Sequence, residues 1–143
     1  MTKWLLLSVG TAWIACSTAY QLPTIIYEQS GGLGGIREYR LVIDSSGRAR
    51  LERWSGWRDT TALQWQLAPR DQKALADALD RLPDSLFSKS SMSQELRPDA
   101  PLRMLTIGRQ HSTRQVVIGT VPDAELWRLV TVLDSLARSV EER

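Results

Sequence analysis

The sequence predicts an α+β domain: an antiparallel sheet of about five to six strands with two main helices packed on one face. Three observations carry this. Ile36 to Asp44 and Arg48 to Trp54 alternate apolar and polar side chains with a period of two, as half-buried strands do. Two later stretches carry leucines at helical spacing. Between them lies a second pair of alternating runs, so the order is strands, helix, strands, helix. The 143 residues are 43% hydrophobic and 24% charged, which is ordinary for one folded domain and too apolar for a disordered chain.

The first element precedes the domain. Met1-Thr2-Lys3 is a short basic start, and Trp4 to Ala15 is an apolar run of about a dozen residues, whereas a membrane-spanning helix needs about 20. This is the length of the apolar core of a secretory signal. It ends at Ala15-Cys16, and Cys16 is the single cysteine of the chain. A small residue before a cysteine at this place looks like a bacterial lipoprotein signal. Residues 1–15 are then the signal peptide, Cys16 the lipidated new N-terminus, 16–23 a tether, and 24–143 one domain. Cleavage after Ser17-Thr18-Ala19, or an uncleaved anchor, are the alternatives. Each places the domain outside the cytoplasm, and acyl chains on Cys16 would hold it on the membrane.

Thr24 to Gln29 is β-branched and aromatic and reads as the first strand. Ser30-Gly31-Gly32-Leu33-Gly34-Gly35 follows, and four glycines in five positions cannot be regular structure. Ile36 to Asp44 places Tyr39, Leu41 and Ile43 on one face. Ser45-Ser46-Gly47 is a hairpin turn, and Arg48 to Trp54 places Ala49 and Leu51 together. Trp57 to Leu67 adds a strand with Leu63, Trp65 and Leu67 on one side. Pro69 suits the first turn of a helix carrying Leu75, Leu79, Leu82 and Leu86. Pro83 breaks it and leaves a short turn to Ser88. Ser88 to Pro101 is polar loop. Leu102 to Gly108 and Arg114 to Gly119 form a hairpin joined by residues 109–113. Pro122 and Asp123 open a last helix with Leu126, Leu129, Val130, Leu133, Leu136 and Val140 in one stripe.

The residues exclude more chemistry than they suggest. One histidine and one cysteine rule out most His/Cys metal sites and any internal disulfide. A net charge of +2 gives no basic face for nucleic acid. His111 lies in a turn, with no serine elbow in the sequence to serve as its nucleophile. Asp77, Asp80 and Asp84 share a helical face with Arg81 and read as its solvated side. Arg37, Arg40, Arg48, Arg50, Arg53 and Arg58 are interleaved with Glu38, Asp44, Glu52 and Asp59, as cross-strand charge pairs would be. No catalytic residue, metal or cofactor is expected.

Two features remain for binding. Trp54, Trp57 and Trp65 fall within twelve residues, and if Leu51 faces the core then Trp54 points the other way. The glycine run matches no phosphate-binding fingerprint, since no Gly-Lys-Ser/Thr and no helix come after it. A tight connection between strands explains its glycines. The same geometry would present Leu33 on a narrow tip, as an anchor for an apolar pocket on a partner.

Ile26-Tyr27-Glu28-Gln29-Ser30-Gly31-Gly32-Leu33-Gly34-Gly35-Ile36 resembles the opening of the emfourin family, small bacterial inhibitors of thermolysin-like zinc metalloproteases. Leu67-Ala68-Pro69, Asp99 with Leu102 to Ile107, and Val121-Pro122 with Leu126 to Leu136 are similar to the family's later elements. The resemblance spans residues 24–138, and the Gly-Gly turn is its specific motif. Ala68 stands where the family has a better helix cap, and the strands from Arg48 to Gln66 are longer. Similar domains also occur in exported bacterial lipoproteins. The resemblance implies a non-catalytic protein whose Gly31, Gly32, Leu33, Gly34 and Gly35 dock on an exported metalloprotease, with Leu33 in the aliphatic pocket beside its zinc. The alternative is an envelope assembly lipoprotein that binds a membrane-complex partner through its sheet face and Trp57.

Overall fold

The computed structural model describes residues 20–31, 37–55, 59–88, 101–118 and 123–141. Within them the chain forms strands β1 (Thr24–Ser30), β2 (Arg37–Ile43), β3 (Arg48–Ser55) and β4 (Asp59–Gln66). Helices α1 (Pro69–Asp80) and α2 (Ser85–Ser88) come next, then β5 (Leu102–Arg109), β6 (Ser112–Ile118) and helix α3 (Ala124–Glu141). The six strands make one antiparallel sheet in the order β4-β3-β2-β1-β5-β6. The α+β expectation is met, with six strands and two long helices.

Local chemistry explains the connections. Between β2 and β3 the Asp44 carboxylate accepts from the amides of Ser46 and Arg48 and from the Ser46 hydroxyl, at 2.9, 3.0 and 2.6 Å. Gly47 closes this turn with φ +78°, a conformation that disfavours any side chain. Those donors hold the Asp44 carboxyl below its usual range, the Ser46 hydroxyl contributing most. Helix α1 begins with Ala68 as an N-cap that offers no side-chain bond and with proline in its first turn. Asp123 caps α3 more effectively, its carboxylate accepting from the amide of Glu125 at 2.8 Å. The link between β5 and β6 is tighter than expected. Arg109 already pairs with Ser112, which leaves only Gln110 and His111 in the turn.

Strand register sorts the side chains. Ile25, Tyr27, Tyr39, Leu41, Ile43, Ala49, Leu51, Leu105, Ile107, Val116 and Ile118 alternate onto one face and are buried. They join Leu75, Ala78 and Leu79 of α1 and Leu126, Leu129, Val130, Leu133, Leu136 and Ala137 of α3 in a single core. The core also takes in Leu22, so among the described residues burial begins two residues before Thr24. Leu63 shares the inward side of β4 but is 46% exposed, because the edge strand runs out beyond this cover. Trp65 packs partly against the core, whereas Trp54 lies on the opposite face and is half-buried.

That opposite face carries a ladder of charge. Glu28, Arg40 and Glu52 are directly opposed on β1, β2 and β3. Arg40 lies 3.4 Å from Glu28 and 3.9 Å from Glu52, and Arg50 approaches Glu52 at 2.8 Å. Arg40 therefore bridges Glu28 and Glu52 across three strands, whereas Arg50 and Glu52 meet along β3.

Candidate partner-binding site

The glycine run connects β1 to its neighbour β2 at one end of the sheet. Pairing continues to Ser30 and Arg37, so both ends of the connection are held by the ladder. The register slips between Gln29 and Ser30, leaving Glu38 as one extra residue on β2. Such a bulge bends the strand and re-aims the residues next to it. Gln29 Nε2 donates to Glu38 Oε2 at 2.8 Å and fixes that side chain. Gly31 leaves room for it, since a Cβ there would sit 2.9 Å from Glu38 Oε1. Gly32, Leu33, Gly34, Gly35, Trp57 and Cys16 lie outside the described residues.

At this end a part-buried polar brace borders the apolar core. Tyr27 of β1 and Tyr39 of β2 both donate their hydroxyls to Oδ1 of Asp134 on α3, at 3.0 and 2.6 Å. Their rings meet edge to face at 5.7 Å. Burial pushes the Tyr27 phenol up to about 12 and the Tyr39 phenol higher still, the Asp134 carboxylate adding to the rise at Tyr39. Both therefore remain neutral donors at physiological pH. Arg103 of β5 stands 3.8 Å from Asp134 Oδ2 and lies over the Trp127 ring at 5.7 Å. Arg53 of β3 lies over Tyr39 at 5.6 Å. Two strands and a helix are thereby tied together near the Ser30–Arg37 end of the ladder.

The same end exposes apolar surface. Leu102 pairs with Ser30 and is 38% exposed, and Trp127 is 49% exposed. The Ser30 hydroxyl donates to the carbonyl of Leu102 at 3.4 Å. Sequence reasoning singles out neither residue. Trp127 carries a legible signal, since it sits one position off the stripe set by Leu126 and Val130 and so points away from the core. Asp134 carries another: it lies four residues after Val130, inside the apolar stripe, where a carboxylate needs buried donors.

The remaining candidates are dispersed. His111 is exposed on its turn and, with Asp80, Arg109 and Leu22, lines a cavity of about 790 Å³ at the far end of the sheet. Asp77 pairs with Lys73 at 2.9 Å and Asp84 with Arg114 at 2.8 Å, so these carboxylates sit in separate ion pairs. Among the described residues no group of His, Cys, Asp and Glu could hold a metal ion, and no helix is long and apolar enough to cross a membrane. In comparisons with known proteins, no family model and no curated protein matches the chain.

Proposed function

We propose that this chain is a non-catalytic, exported binding protein of emfourin-like type that docks through its glycine connection and inhibits a thermolysin-like metalloprotease. Leu33 enters the protease's aliphatic pocket, and the flanking glycines let the backbone come close. Cys16 carries the lipid that keeps the domain on the membrane.

The observation that supports this reading is the anchored base of the connection. Ladder pairing up to Ser30 and Arg37, with the Tyr27–Tyr39–Asp134 brace close by in β1, β2 and α3, gives a rigid base at both ends of the connection. Pre-organisation of this kind lowers the ordering cost of binding. Leu102 and Trp127 add apolar surface at the same end, where a partner seated on the tip would also rest.

Residual activity of a thermolysin-like protease, titrated with the chain and with Leu33→Asp, tests the proposal. Inhibition at or below about micromolar concentration, weakened by at least about tenfold in the variant, is the expected result. Failure of both proteins to inhibit at micromolar concentration would overturn it for this class of protease.

A further inference from the structure

We infer that β4 is a self-pairing edge, along which two copies of this chain join their sheets into one continuous antiparallel sheet.

The two edges of the sheet differ. At β6, helix α2 lies alongside, and Arg114 extends to Asp84. Strand β4 ends the other side of the sheet, and Thr60 to Leu63 with Gln64 and Gln66 are exposed. Its seven residues from Thr60 to Gln66 include no charge, no proline and no glycine. Lysine, proline, bulges or a covering element are the usual means of blunting an open edge, and this stretch has none of them among the described residues.

Backbone direction determines which register fits. The Leu67 amide donates to the Gly47 carbonyl at 2.9 Å, so residue 67 turns its polar groups toward β3. Alternation turns those of Trp65, Leu63 and Thr61 the same way, and leaves those of Gln66, Gln64, Ala62 and Thr60 on the open side. A second copy running antiparallel, centred on Leu63, sets Ala62 against Gln64 and Thr60 against Gln66. Each of these residues then meets another with outward amide and carbonyl, and no open group is left facing a mismatched one.

Side chains favour the same arrangement. In this register Leu63 faces its own copy across a close, non-hydrogen-bonded position, and Thr61 faces Trp65. The exposed Leu63 and the half-buried Trp65 thus become one apolar strip. On the other side, threonine, alanine and glutamine oppose each other. Because Thr60 to Gln66 is uncharged, and Asp59 at the start of the strand opposes Leu67 of the second copy, the two-fold pairing sets no like charges directly opposite each other, which is what makes a second copy the fitting occupant.

Sedimentation velocity on the full chain in mild detergent tests this, with Leu63→Lys, Leu63→Glu and Ala62→Pro. The wild type is expected to dimerise, and each charge variant alone to associate at least about tenfold more weakly, since like charges then face each other. Mixing the lysine and glutamate variants should restore a heterodimer, because position 63 meets itself. Ala62→Pro, which removes an outward amide and no bond to β3, should also be monomeric while its circular dichroism is unchanged. A wild type that stays monomeric to about 100 µM, dimers that survive the charge substitutions, or charge variants that do not recombine on mixing would each overturn the proposal.

Discussion

The two faces of this sheet are built from the same strands yet are held by different physics. On one face eleven strand residues are buried against the residues of α1 and α3. On the other, Glu28, Arg40, Glu52 and Arg50 exchange ion pairs beside half-buried Ile26, Val42, Met104 and Val117. Stability therefore concentrates on the covered face, because those eleven side chains are almost wholly removed from water, whereas partly solvated ion pairs contribute little. The Tyr27–Tyr39–Asp134 brace stands between these regimes: a polar group in the covered layer, tolerated because its hydrogen bonds are made.

The sharpest way to break the comparison is a matched pair of truncations on β2. Leu41→Ala should cost about 2–5 kcal/mol in urea denaturation, because Leu41 is fully buried and a cavity remains. Its neighbour Val42→Ala, on the other face, should cost about 1 kcal/mol or less. Equal losses would mean that both faces are covered. The next largest effect is expected for Asp134→Ala, which strands two tyrosine hydroxyls and should cost about 1–3 kcal/mol.

The brace also predicts an alkaline limit. Folded-state phenols raised above the ordinary value near 10 stabilise the fold below that pH. This contribution is lost as pH rises from there toward and beyond 12, where Tyr27 itself ionises. Phenolate absorbance at 295 nm should accordingly rise together with unfolding, and at lower pH in Asp134→Ala. Smaller again is Arg40→Ala, expected within about 1 kcal/mol of wild type. The weakest effect falls at the β2–β3 turn. Asp44 has a depressed pKa, so its stabilisation is present above about pH 4 and fades as acid protonates the folded carboxyl. Asp44→Asn should flatten the acid limb of the stability profile.

Much of this arrangement is legible in the sequence because alternation reports which way a side chain points. Period alone assigns Tyr39, Leu41, Ile43, Ala49 and Leu51 to one face and Trp54 to the other. Alternation does not report what covers that face. Leu63 keeps the phase of the buried residues but is exposed, since it lies on the edge strand. Hairpin neighbours can be read from short connections, whereas the pairing of β1 with β5 joins segments some eighty residues apart and has no local signal. The brace is illegible for the same reason: Asp134 is 107 and 95 residues from its two tyrosines. Of the proposed docking residues, Gly31 is placed at the strand end, and the Glu38 side chain fills the space beside it.

The burial of Leu22 sets a mechanical limit. Only residues 17–21 separate Cys16 from Leu22, the first buried side chain among the described residues, and a fully extended chain spans about 3.5 Å per residue. An acylated Cys16 would therefore keep the domain on a leash of roughly 20 Å, shorter than the width of the bilayer that holds it. Under the proposed anchoring the chain would run into β1, a strand with neighbours on both sides, and a pull from the membrane would be borne in shear by two hydrogen-bonded ladders at once.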